Sequence, residues 1–442
     1  MTSGLPAAVG SAARSVFAWR RPGTVTALCP VPAARTAELR TRLAAAQPAL
    51  GLDRLTGVHF LRLLVLDAAH DLRGRELPAR LVFSAVLDRT IRQTLADWVD
   101  VAGDTLVEIF SCCTNGPSTP ADVSPFLLAR CVVPDTYHVG SPDATVRQIQ
   151  QERLLAEELR EFVGRLIDPR TTPGADGAIA AGEMTAGEMT AGEIRRRALD
   201  FVRARPHLPQ HPRPGRSVPD RARQVADLAA TGAVVAAGVP LAGAAMALVR
   251  YLEKTEPDVV IRPDDGRVAA LEQAEDMDVQ NQFTMIATVR DSVERRELLR
   301  ATLFLSDAYS KFLANSGRLV GVETIHFARI HRLDGGRRFL FMSDFDGSWS
   351  RYLFDFLTTG SFAVVPNWTN LLGCPKTEYL MEPGPGFSQR FLPFTRAGQV
   401  RTDVWFSAYP GLTVTDILRH GQIRRGLFTD DGPPADRWVR LL

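Results

Sequence analysis

Val58-His-Phe-Leu-Arg-Leu-Leu-Val-Leu-Asp67 and Ile325-His-Phe-Ala-Arg-Ile-His-Arg-Leu-Asp334 are two versions of one decapeptide, 267 residues apart. They pair His59 with His326 and Arg62 with Arg329. The match resumes without a gap where Leu81–Asp97 meets Phe339–Asp355, setting Phe83 on Phe341, Asp88 on Asp346 and Asp97 on Asp355. A third block aligns Phe126 with Phe394, Asp135 with Asp403, and Pro142, Thr145, Val146 and Ile149 with Pro410, Thr413, Val414 and Ile417. Three collinear blocks indicate a diverged internal duplication, and a repeat constrains architecture before any single motif does.

The 442 residues therefore divide into two related halves and an insert. Composition is that of a folded protein, with 45% hydrophobic and 23% charged residues. Basic and acidic residues balance at 52 against 50, and no Lys or Arg stripe is present to neutralise phosphates, which argues against a nucleic-acid partner. Five cysteines show neither a C-x-x-C pair nor metal-type spacing, and their odd number suits a reducing compartment. Arg14, Arg20 and Arg21 are followed by no apolar run of signal-peptide length, so the expected location is cytoplasmic.

Residues 1–22 read as a loose leader and 23–167 as the first repeat. In it, Thr24 to Val31, Val58 to Asp67, Ala79 to Val86 and Cys131 to Val139 read as strands, and Ala33 to Ala46 and Thr90 to Val101 as helices. The order strand, helix, strand, strand, helix, strand is the ferredoxin-like βαββαβ arrangement. Ala144 to Ile167 extends it as a solvated packing helix. Residues 168–222 read as a linker, partly helical around 192–204, and 256–442 as the second repeat. There Phe283 to Val289, Thr324 to Leu333 and Arg338 to Ser343 read as strands, Val293 to Leu313 and Ser350 to Leu357 as helices. Phe362 to Trp368, Lys376 to Met381 and Thr402 to Tyr409 are further strand candidates. Two such units in one chain predict an α+β fold in which the sheets pack as an intrachain α+β barrel around a cavity.

Between the repeats, 223–255 is an apolar insert. Leu228 to Val249 carries no formal charge, reaches the length of a membrane span and contains Pro240. A single crossing would separate the two halves. The expectation is instead a helical hairpin broken at Pro240 that touches a membrane surface through 228–249, or an apolar helix buried against the body. The first places the protein peripherally at the inner face of the membrane.

Strand alternation puts Phe327, Arg329 and His331 on one face, against Phe60, Arg62 and Leu64 in the first half, so the second half is the better site candidate. A buried arginine wants a carboxylate, which Asp344 or Asp346 on the neighbouring loop can supply. Asp346 is the expected acid or base, Arg329 the stabiliser of developing negative charge, and His331 a second base or metal ligand. The competing reading makes His59, Arg62, Asp88, His326 and Asp344 structural ties between strand ends and loops, with Asp88 and Asp346 as helix caps.

The duplicated plan, with Ser343-Asp-Phe-Asp346-Gly347, resembles the dimeric α+β barrel superfamily, distantly the dye-decolourising peroxidases, whose G-x-x-D-G loop supplies a distal acid beside an arginine. The first glycine of that motif is absent here, and the loop lies in the second half rather than the first. The runs Ile325-His-Phe-Ala-Arg, Ser343-Asp-Phe-Asp-Gly-Ser-Trp and Trp405-Phe-Ser-Ala-Tyr-Pro-Gly-Leu-Thr also resemble an uncharacterised bacterial family. The resemblance implies an oxidoreductase, haem peroxidase-like or cofactor-free monooxygenase-like, acting on a hydrophobic substrate between the repeats. Haem would then be held by His331 or His420 with Arg329 nearby. The alternative is a non-catalytic binding protein for a hydrophobic small molecule or lipid.

Overall fold

A computed structural model describes residues 23–167, 189–213, 218–312, 319, 321–359, 361–377, 386–430 and 432–442. The leader 1–22, residues 168–188 and 214–217 of the linker and most of the strand candidate at 376–381 lie outside them.

The chain is mixed α+β with antiparallel sheets. The first half contributes β1 (Gly23–Val31), α1 (Thr36–Ala46), β2 (Val58–Leu66), β3 (Ala79–Leu87), α2 (Ile91–Phe110), α3 (Pro120–Leu128), β4 (Cys131–Val132) and β5 (Thr136–Val139). Then come α4 (Val146–Ile167), α5 (Ala191–Arg203), α6 (Val218–Thr255) and α7 (Asp265–Glu272). The second half follows with β6 (Gln280–Thr288), α8 (Val293–Phe312), β7 (Ile325–Leu333), β8 (Arg338–Asp346), α9 (Trp349–Thr358), α10 (Ser361–Trp368), α11 (Phe387–Gly398), β9 (Val404–Ser407), α12 (Val414–Phe428) and α13 (Ala435–Val439).

One sheet has the order β9-β2-β3-β1-β4 and the other β5-β7-β8-β6. Each half thus gives its last strand to the sheet of the other. Cys131 to Val139, expected as one strand, splits for this reason: Cys131 pairs with Ala27, whereas Thr136–Val139 runs along β7. The exchange is reciprocal in register. Tyr137 lies opposite Arg329, and Trp405 opposite Arg62. The inner ladders match as well, with Ala27 facing Phe83 in one sheet and Met285 facing Phe341 in the other. Where β4 flanks β1, the second sheet keeps a single bridge between Met285 and Gln399.

Alternation sends one face of each sheet to its helices and the other to the opposite sheet. Leu61, Leu63 and Val65 join the helix-side core of the first half with Trp98, Leu106 and Phe110. Ala328, Ile330 and Phe341 join the second, with Tyr352, Phe356 and Trp368. Between the sheets, Leu64, Leu66 and Val82 meet Leu333, Leu340 and Met342. Neither sheet closes into a barrel, contrary to the sequence-based expectation. The edge strands β4, β5 and β9 are only two to four residues long, and among the described residues no ladder joins the sheets. Side chains occupy the space in which the cavity between the halves was expected.

Three further expectations change. Phe362 to Trp368 is helical, because Ser361–Trp368 continues the course of α9 as its counterpart α2 continues through a kink at Ala102. The loop after Arg338 to Ser343 begins later, since β8 runs on to Asp346 and Gly347 takes the turn at φ 84°. The apolar insert is not a hairpin broken at Pro240: α6 is one helix of 38 residues. A proline forfeits one main-chain hydrogen bond, which the alanine-rich surroundings tolerate. No helix among the described residues is long and apolar enough to cross a membrane. Val225 and Tyr251 are exposed, whereas Thr231 and Val249 are buried. The C-terminal end of α6 is fastened by Glu253, which accepts from the Thr377 hydroxyl at 2.7 Å.

The described residues of Met1–Asp143 and Ser217–Val414 form one compact unit, and those of Ala144–Arg216 and Thr415–Leu442 a second. These bounds differ from the 23–167 and 256–442 division. In the second unit, Leu155, Leu159, Ala198, Val202, Leu208, Ile423, Leu427 and Trp438 make the core, so part of the presumed linker is a packed helix.

Candidate functional site

Among the residues singled out by sequence, Arg62, Arg329 and Asp344 come together. All three side chains are fully buried between the sheets, Arg62 from β2, Arg329 from β7 and Asp344 from β8. Arg62 bonds Asp344 Oδ1 and also donates to Thr284 Oγ1 at 2.9 Å, Phe283 O at 3.1 Å and Ser343 O at 2.8 Å. Arg329 donates to Asp344 Oδ2 at 3.3 Å and, through Nε, to Ser84 Oγ at 2.8 Å. Trp405 Nε1 adds a bond to Asp344 Oδ1 at 3.2 Å. Asp344 rather than Asp346 is therefore the carboxylate that the arginines need. Burial alone would raise the Asp344 pKa; Arg62 and Arg329 outweigh it and hold the carboxyl below its ordinary value. Burial, opposed by Asp344 and reinforced by Arg62, brings Arg329 down to about 10.

Asp346 does not join this cluster. It lies 2.7 Å from His326 Nε2 and accepts from Val414 N at 2.7 Å. Asp88 lies 2.7 Å from His59 Nε2. Both histidines sit in β-bulges, His59 where β2 slips against β3 and His326 where β7 slips against β8. The aspartates are ties to the bulged histidines and not helix caps; the caps are Thr90 and Ser348.

His331 is buried on the inter-sheet face. Burial, with Arg329 nearby, lowers its pKa to about 3, so it is neutral at pH 7. His420 belongs to the other compact unit, where burial also lowers its pKa. His331 belongs to the first compact unit and His420 to the second. No group of three or more metal-ligating side chains is arranged to hold an ion among the described residues.

Open space lies on the other face of the second sheet. A cavity of about 50 Å³ is bounded by β5, β7 and β8 above and by α8, α9 and α10 below. Its floor is Phe341, Phe356 and Trp368, with Phe341 and Trp368 in edge contact at 5.5 Å. Thr136, His138, Ser306, Ser310 and Asn367 complete a lining whose surface toward the space is almost wholly apolar. Thr136 Oγ1 donates to Leu303 O at 2.9 Å and Ser310 Oγ to Tyr137 O at 3.3 Å, so both hydroxyls spend their proton on the main chain.

The matched halves show why the hollow is there. Leu61, Ile109, Val404 and Phe406 fill the corresponding place in the first half. Ala328, Asn367, Thr136 and His138 replace them in the second. Loss of the leucine side chain opens volume, and the other three changes bring polarity into it. Sequence reasoning did not single out these four; comparing the halves residue by residue for lost bulk, rather than for kept identity, would have.

No family model, no curated protein and no solved structure matches the chain.

Proposed function

We propose that the chain is a non-catalytic binding protein for a small, mostly apolar molecule or the tip of a larger one. The site is the hollow beneath β5 and β7. One observation carries this reading: where Leu61 and Ile109 sit in a filled apolar core, the aligned positions Ala328 and Asn367 border an aromatic-floored, almost wholly apolar space. A volume of about 50 Å³ holds on the order of four non-hydrogen atoms, since one water needs about 10–15 Å³ on the same measure. With the Thr136 and Ser310 hydroxyls as part of an otherwise apolar lining, the guest is expected to be mostly apolar and to carry one hydrogen-bond donor.

The oxidoreductase reading has less support. Arg329 is engaged by Asp344 and Ser84, and Asp346 by His326 and Val414, all of them buried. We further read each half as a copy of a ferredoxin-like unit, a reading supported by the order β4-β1-β3-β2 within the first sheet.

The test is a backbone amide NMR titration with 1-propanol and, as a guest without a donor, its methyl ether. Saturable shifts around Ala328 that are stronger for the alcohol are expected, and Ala328→Leu should abolish them. Shifts that survive in Ala328→Leu would reject the site.

A further inference from the structure

The ionic cluster between the sheets is unequal to its own symmetry. Arg62 and Arg329 are counterparts in the two halves, but their single carboxylate, Asp344, has Val86 as its counterpart. Arg62 meets Asp344 through Nη2. Arg329 Nη2 has no hydrogen-bond partner, and its side chain is fully buried. Val86 faces the second sheet as Ser84 does two positions earlier on β3, and Ser84 receives Arg329 Nε. Two guanidiniums, which proteins do not deprotonate, thus share one buried carboxylate. His331, the other titratable group on this face of β7, is neutral. An uncompensated buried charge is costly enough that structures avoid it.

We infer that a small monovalent anion, chloride in size and charge, binds beside Arg329 Nη2 at the place where Val86 stands for the missing carboxylate. This inference does not depend on the binding function proposed above, because it rests on the charge balance between the sheets and not on a guest in the hollow, whose lining Arg329 also joins.

The experiment measures Tm in sodium chloride and in sodium gluconate at equal ionic strength. Chloride should raise Tm with a saturating dependence, because an ion that binds only the folded state stabilises it by mass action. Val86→Asp, which supplies the second carboxylate, and Arg329→Met, which removes the charge, should each abolish the difference. Equal Tm values in the two salts overturn the inference, as does a chloride effect that persists in both variants. Should neither variant fold, bromide-soaked crystals of the unaltered protein decide: an anomalous peak in contact with Arg329 Nη2 supports the site, and its absence there overturns it.

Discussion

His59 and His326 occupy matched bulges in two different sheets, and each places Nε2 2.7 Å from an aspartate, Asp88 in the first half and Asp346 in the second. A carboxylate against Nε2 fixes the proton there and leaves Nδ1 as an acceptor. His59 Nδ1 is met by the Tyr409 hydroxyl at 2.9 Å, whereas His326 Nδ1 has no partner, and Ser141 stands at the position that matches Tyr409. The pair kept in both halves therefore clamps each bulge, and the halves differ in what lies beyond it.

Asp346→Asn should destabilise the protein. Asp346 serves both His326 and the Val414 amide in a buried setting, and loss of such charge-assisted bonds costs about 1–3 kcal/mol. Urea unfolding checks this; a midpoint equal to that of the unaltered protein would contradict the double role of Asp346.

Removing Asp344 should be among the most damaging single changes. Asp344→Ala strands two buried guanidiniums, for which about 3–5 kcal/mol is expected. Replacing Asp344, Arg62 and Arg329 together by apolar residues should cost much less, because no lone charge remains. Denaturant midpoints of the single and triple variants distinguish an ionic from a merely steric role.

Stability should fall in acid through His331. Its folded pKa of about 3 lies below the 6.5 of an ordinary histidine, so between those values the unfolded chain binds the extra proton. The contribution is complete above pH 6.5 and declines toward pH 3, at about 1.4 kcal/mol per pH unit for one proton. His331→Leu should flatten that part of the stability–pH curve. An unchanged slope would show that other groups carry it.

The counterparts Leu61 and Ala328 should respond in opposite directions. Leu61→Ala empties a filled core position and should cost about 2–5 kcal/mol. Ala328→Leu enters space that exists and should be neutral or stabilising. Thermal unfolding of both variants checks the solid and hollow assignment independently of any ligand.

Much of the frame was legible in the sequence. The repeated decapeptide located β2 and β7, the second block located β3 and β8, and alternation put Arg62 and Arg329 on the face that proved to be inter-sheet. The need of a buried arginine for a carboxylate pointed to Asp344 and Asp346, and the structure uses the first. The exchange of β5 and β9 was not legible, because alternation states which face a residue takes and not which sheet its strand joins. Phe362 to Trp368 misled for a related reason: a short apolar run does not distinguish a strand from a buried helical turn. The hollow escaped because identity between the halves drew attention to what they share, whereas Ala328 and Asn367 matter by departing from it.

The reciprocal loan of edge strands also sets a timetable for synthesis. At about 5–20 residues per second, roughly 20–70 s separate the emergence of β2 from that of β9 at a ribosome. Throughout that interval the apolar run Val58–Leu66 presents an unpaired edge, the kind of template on which other strands add. Neighbouring nascent chains on one message could satisfy each other's edges before either chain is complete, so the yield of monomer should depend on how closely ribosomes follow one another.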